Sequence, residues 1–313
     1  CGAGEKHRRA GLYADPYSED AYWALKRRWN PAPPASPRLD RELGWTGDFD
    51  PGTWKHHERH LLKGRRPVLL YGDSFSSCVE GVICFQEILE DEPGFSREFR
   101  LLNYGTGGYG IGQTLLLMER TLPLFPDAVV VAGLMTLDID RAVLSLRDAP
   151  KPRLRLEGGA LVRGQASAPE EEGALAHGIR SFLYRKLLFS RFIPSRVRAS
   201  LRDEAGIVRR KKELAGAILD AMAAAAGDRE LLFLVFHPHV PGVAPLDGEG
   251  GWRDEFLRGW LENSSRQYIW SRDLFREHAA DPPDVSRWIR PEDGHPTGRF
   301  NWLVSAELRR RLT

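Results

Sequence analysis

The chain has 313 residues, 42% hydrophobic and 28% charged, and its 45 Lys and Arg nearly balance its 43 Asp and Glu. That composition supports a sizeable buried core, as one large α/β domain or two smaller ones, and gives no electrostatic reason to expect a nucleic-acid or membrane-surface partner. No run of eighteen apolar residues occurs; the longest near-candidates, "DAVVVAGLM" and "ELLFLVF", have strand rather than membrane-span length.

The first residues, Cys1-Gly2-Ala3-Gly4 followed by a polar stretch, resemble the start of a mature bacterial lipoprotein. That start implies an extracytoplasmic protein tethered to a membrane through a lipid on Cys1, and a cut end is the alternative. Residues 1–60 are polar, with a Trp-containing helical patch ("SEDAYWALKRRW"), a Pro-rich breaker ("NPAPPASP") and a turn-rich tail ("LDRELGWTGDFDPGTW"). They read as an amino-terminal extension wrapped on a main domain of residues 61–313.

From residue 67 the pattern becomes strand, turn, helix. "PVLLY" is a short apolar run that stops at Gly72-Asp73-Ser74, and "GVICFQEILEDE" reads as the following helix. Cys78 and Cys84, six apart, fall on different sides of a regular helix, so a bridge between them needs loop geometry; two buried thiols are the simpler expectation. A second strand is "FRLLNYG", followed by a glycine-rich turn and a helix from about Gln113 to Thr121. A third is "DAVVVAGLM", and a fourth, "ELLFLVF", follows the alanine-rich helix "RRKKELAGAILDAMAAAAG". Strands alternating with helices indicate βαβ units and a mainly parallel sheet covered on both faces. Between the third and fourth strands, at about 140–205, lies an insertion. It contains a hairpin around Gly158-Gly159 in "PRLRLEGGALVRG" and an arginine-rich amphipathic segment, "IRSFLYRKLLFSRFIPSRVRASLR", read as a solvated helix face.

In an open α/β sheet the ligand site lies beyond the carboxyl ends of the strands, so Ser74, the turn after Asn103 and the loop after Met135 are expected along one edge. Gly-Asp-Ser alone is ordinary turn chemistry. Four blocks in order say more: "GDSF", "NYGTGGYGIGQ", "PDAVVVAG" and "DGHPTGRFNWLVSAEL" resemble the sequence blocks of the SGNH or GDSL-type hydrolases. The resemblance runs from about residue 40 to 313. It implies a three-layer α/β/α sandwich with a mainly parallel central sheet, flavodoxin-like, and a serine esterase that needs no cofactor and no metal.

By that resemblance Ser74 is the nucleophile and His295 the base that takes its proton. The triad acid is Asp293, two before the histidine, with Glu292 as the alternative because the commonest family spacing is three. The oxyanion hole would be built from the backbone N–H groups of Ser74 and Gly108 and a side chain in the third block. There the family places asparagine and this chain has Thr136, whose shorter hydroxyl can still donate one hydrogen bond. Asp73, Asn103, His237 and His239 are candidates for lining the substrate. His237 and His239 flank Pro238 just beyond the fourth strand, and with no third ligand singled out a metal site is not expected. "GTGGYGIG" lacks the Lys-Ser/Thr of a phosphate-binding loop, which argues against a nucleotide. The expected substrate is a small-molecule or carbohydrate O-acyl ester, acetyl foremost, on a sugar or envelope polymer. An O-acetyltransferase using the same triad and a non-catalytic envelope protein are the alternatives.

Overall fold

The structure is a computed structural model and describes residues 20, 22–24, 38–46, 62–147, 149–167, 204–241, 244–281 and 283–313. Cys1, the Pro-rich breaker and the arginine-rich segment lie outside the described residues. The chain divides into two compact units, Cys1–Thr46 with Asp140–Ala217 and Gly47–Ile139 with Ile218–Thr313.

The second unit carries a five-stranded parallel sheet. Its strands are β1 (Arg66–Gly72), β2 (Phe99–Gly105), β3 (Val129–Met135), β4 (Leu231–Phe236) and β5 (Gln267–Trp270), in the order β2-β1-β3-β4-β5. The segments α1 (Ser74–Ser77), α2 (Phe85–Glu90), α3 (Ile111–Thr121), α4 (Glu204–Ala226, in this unit from Ile218 on), α5 (Trp252–Asn263), α6 (Ser271–His278) and α7 (Gly298–Leu312) alternate with these strands along the chain. Every residue of β3, and all but the first of β1 and β4, is buried. Successive side chains of a strand point to opposite faces, so such runs require helices on both faces: this is a three-layer α/β/α sandwich. On α4, Ile218, Leu219, Met222 and Ala226 are buried at helical spacing, and Gly227, at φ +60°, ends the helix. No helix among the described residues is long and apolar enough to cross a membrane.

Two local readings are corrected. The helix expected over 81–92 spans only Phe85–Glu90, because residues 78–84 form a loop with Cys78 at φ +60° and Gly81 at φ +79°. That loop supplies the geometry a regular helix denies, and Cys78 and Cys84 form a disulfide with Cα atoms 5.8 Å apart instead of two thiols. The fifth strand, "QYIW", is an addition: it is four residues long, exposed at Gln267, and runs straight into α6.

In the first unit, Leu154–Glu157 pairs antiparallel with Ala160–Arg163. Gly158 and Gly159 turn between them at φ +58° and +83°, the left-handed pair that a two-residue hairpin loop requires. The Asp20 carboxylate accepts the Ser145 and Leu146 N–H groups, and Trp23 packs with Leu144 and Leu146. Lys211 and Asp140 form a buried ion pair at 2.7 Å.

Candidate active site

Strand β1 delivers Ser74 into a one-turn helix. Asp73 caps that helix, its Oδ1 accepting the Phe75 N–H at 2.9 Å and its carbonyl the Ser76 and Ser77 N–H groups. The turn can sit directly on the strand ends because β1 and β2 finish in glycine and β3 carries Gly133 two residues before its end. A Cβ at Gly72 or at Gly133 would stand 2.2 Å from Ser76 Oγ, and one at Gly105 would stand 2.4 Å from the Ser77 nitrogen. Gly72 also has φ +147°, which suits glycine. Asn103 on β2 clamps the turn: its amide nitrogen donates to the Ser76 carbonyl at 2.8 Å and to Gln86 Oε1 at 3.0 Å, and its oxygen accepts the Gly105 N–H. Asp73 is buried and capping, and Asn103 is engaged at both ends of its amide. Both therefore shape the turn where lining of the substrate was expected.

His295 arrives on a closed loop before α7. Arg290 N–H donates to the His295 carbonyl at 2.8 Å, Gly294 N–H to the Arg290 carbonyl at 2.9 Å, and Thr297 N–H to the Trp288 carbonyl at 2.8 Å, with Gly294 at φ +75°. Thr297 then caps α7. This fixes the imidazole with Nε2 2.9 Å from Ser74 Oγ and the Phe75 ring packed 5.7 Å from it. For Nε2 to accept the serine hydroxyl, the ring carries its proton on Nδ1. Nδ1 faces Asp293, whose Oδ1 lies 3.3 Å away, at ion-pair rather than in-line hydrogen-bond geometry, and accepts the His295 N–H at 3.0 Å. Glu292 points elsewhere, its Oε1 accepting from Arg290 Nε at 2.9 Å. The structure thus brings Ser74, His295 and Asp293 together and leaves Glu292 outside the cluster.

Three groups were expected as oxyanion donors, and each has its own local setting. Ser74 N–H is the first amide of α1 and has no acceptor within the helix. Gly108 occupies the turn after β2 at φ +82°, a conformation that favours glycine. Thr136 follows β3 and continues the parallel pairing through its N–H to the Phe236 carbonyl, while its Oγ1 is buried with no hydrogen-bond partner among the described residues.

His237 is displaced from the expected role. It is fully buried, and its Nδ1 accepts the Arg272 N–H at 3.2 Å and lies 3.0 Å from Ser271 Oγ. Nε2 lies 3.1 Å from Asp254 Oδ1, and Asp254 also contacts Arg272 Nη1. Burial dominates and lowers the His237 pKa to about 4. Burial alone would raise the Asp254 pKa, but the hydrogen bond and charge of His237, the Arg272 cation and the Gly251 N–H together outweigh it and lower the value to about 2. The ring packs 4.6 Å from that of Trp270, so His237 ties β4 to α5 and α6 from inside and does not line a substrate. His239 is half-buried, its Nδ1 accepting the Leu246 N–H at 3.4 Å and lying 3.5 Å from Asp247. Among the described residues no group of three His, Cys, Asp or Glu is placed to hold a metal.

Arg290, which reaches both loop carboxylates, and Asn301, which donates to the Ile83 carbonyl at 2.9 Å, were not anticipated from the sequence. The Arg-x-Glu-Asp spacing of the loop was the available signal for the first; the second is a contact 218 positions long and leaves none.

No family model and no curated protein matches the chain. Among solved structures it is similar to a member of the lipolytic protein G-D-S-L family from Veillonella parvula, at 12% identity and a TM-score of 0.44, over 79% of this chain and 98% of that one. It is also similar to a catalytic mutant of the acetylxylan esterase Axe2 from Geobacillus stearothermophilus, at 12% identity and a TM-score of 0.43, over 78% and 93%. A third is the psychrotrophic esterase EstA from Pseudoalteromonas sp., at 12% identity and a TM-score of 0.41, over 78% and 94%.

Proposed function

We propose that the chain is a serine esterase that cleaves an O-acyl ester through a covalent acyl-serine. The observation that carries this reading is the 2.9 Å approach of His295 Nε2 to Ser74 Oγ, with Asp293 behind the ring. As Oγ attacks the ester carbonyl, Nε2 takes its proton and the carbonyl oxygen becomes an oxyanion. That charge would be met by the N–H groups of Ser74 and Gly108 and by the Thr136 hydroxyl. Collapse breaks the bond to the alcohol, which leaves with the proton from Nε2. Water then attacks the acyl-serine, gives a proton to Nε2, and the acid departs as Ser74 recovers it. Asp293 holds the ring's tautomer and stabilises the imidazolium formed in both halves.

The substrate we assign is a short O-acyl group, acetyl foremost, on a carbohydrate or envelope polymer. The Cys78–Cys84 disulfide supports a place outside the cytoplasm, since such bonds persist in oxidising compartments, and a lipid on Cys1 would tether the chain there. The test is release of acid from p-nitrophenyl esters of increasing chain length and of acetate from an acetylated polysaccharide. Preference for acetyl supports the assignment; preference for long chains overturns it. Acetyl passing to an added polysaccharide, with no free acetate, would replace hydrolysis by transfer.

A further inference from the structure

Arg290 is the residue on which the catalytic loop closes. Its backbone bonds both Gly294 and His295, and its guanidinium spans both loop acids: Nε is 2.9 Å from Glu292 Oε1 and Nη2 is 3.3 Å from Asp293 Oδ2. The second contact has a directional consequence. With Oδ2 held by the cation, Oδ1 is the oxygen left to face His295, 3.0 Å from its backbone nitrogen and 3.3 Å from Nδ1. Asp293 is a loop residue with a rotatable carboxylate, one-third exposed to water, held on one oxygen by the His295 N–H and on the other by Arg290, so that the two contacts together fix its rotation toward the imidazole.

We propose that Arg290 is the positioning residue of this site: it fixes Asp293 with Oδ1 toward His295 and, shared with Glu292, sets how much negative charge the imidazole feels. The inference rests on the reading of His295 as the base. Two carboxylates share one guanidinium, so the loop presents one net negative charge to the ring. The imidazole also meets the neutral Ser74 hydroxyl and Phe75 ring; of the charged groups on those elements, Asp73 is engaged in capping the nucleophile turn and the Arg299 guanidinium of α7 lies 4.8 Å over the Trp288 ring. Removing Arg290 therefore uncovers an anion, and removing Glu292 strengthens the cation's hold. The two changes act on the imidazolium in opposite directions.

The test follows the His295 ring resonances by NMR through a pH titration, assigned with His295→Ala, alongside the pH dependence of kcat/KM. Arg290→Gln is expected to move the titration midpoint and the acidic limb upward by about half a pH unit and to lower kcat roughly tenfold with KM unchanged. Glu292→Gln is expected to move the midpoint downward with kcat near wild type. Arg290→Lys keeps the charge and hence the midpoint, but recovers kcat only in part, because an ammonium cannot fork between two carboxylates. A merely structural Arg290 would move neither midpoint. If Arg290→Gln and Glu292→Gln leave the midpoint where it is or move it the same way, or if Arg290→Gln leaves kcat intact, the proposal is wrong. The titration is read without turnover, so an inactive wild type would sink the esterase reading while the His295 midpoints still decide the role of Arg290.

Discussion

Ser74 and His295 are 221 positions apart in the chain and 2.9 Å apart in the fold. Each is set by its own local device, the serine by a turn seated on Gly72, Gly105 and Gly133 of three neighbouring strands, the histidine by a loop closed on Arg290 and capped into α7. Neither device alone has chemistry; their meeting gives the serine a base.

Of the two acids before His295, Asp293 is the one beside Nδ1. Asp293→Asn is expected to lower kcat/KM by roughly 10²- to 10⁴-fold, by losing the anion that holds the ring's tautomer and stabilises imidazolium. Glu292→Gln should change it by less than about threefold. Steady-state kinetics of both variants at pH 7.5 decide the assignment, and the reverse pattern would hand the role to Glu292.

Thr136 has a buried hydroxyl with no partner among the described residues. Such a group costs stability, on the order of 1 kcal/mol, unless something else uses it. Thr136→Val should therefore raise unfolding stability by about that amount while lowering kcat roughly tenfold or more by removing an oxyanion donor. Thr136→Ser should keep most of the activity. A valine variant that is stabilised and fully active would remove Thr136 from the oxyanion hole.

The Cys78–Cys84 bridge closes the loop directly after the nucleophile helix. Cross-linking so short a loop stabilises by about 2 kcal/mol through the unfolded chain. Urea unfolding of the Cys78→Ser/Cys84→Ser protein should show that loss. An unchanged midpoint in urea would mean that the bridge constrains nothing.

His237 and Asp254 make stability depend on pH below neutrality. The His237 pKa falls from 6.5 unfolded to about 4 folded, so the unfolded chain takes up the proton first. The stabilisation is full above pH 6.5 and declines as pH falls toward 4, by roughly 2–3 kcal/mol between pH 7 and pH 4.5. Asp254, lowered from 3.8 to about 2, adds a further loss only below pH 3.8. Urea unfolding at pH 7, 5.5 and 4.5 should show the first decline, and it should be largely absent in His237→Gln. A flat profile for the wild type would contradict the burial of a neutral imidazole.

β1, β3 and β4 were legible because parallel strands buried on both faces read as apolar runs, and edge strand β2, with half-buried Arg100 and Asn103, was legible from its Phe99, Leu101, Leu102 and Tyr104. β5 was not: it has four residues, begins with an exposed glutamine and passes into α6 without a turn. The apolar "GVIC" looked helical, but it lies in the loop that the Cys78–Cys84 bridge spans, where Cys78 and Gly81 have positive φ. The rule that sites lie at strand carboxyl ends located Ser74 and misassigned His237, which follows β4 at the same end but turns inward. Its partners, Asp254, Ser271 and Arg272, are 17 to 35 residues downstream, and no local pattern announces them.

The central claim is that Ser74 and His295 act as nucleophile and base. Its most direct test is hydrolysis of p-nitrophenyl acetate and longer esters by the intact protein, Ser74→Ala and His295→Ala, with thermal unfolding to show that all three are folded. The account predicts measurable wild-type turnover and a loss of at least about 10³-fold in each folded variant. Turnover that survives in Ser74→Ala, or its absence in all three proteins, would contradict it.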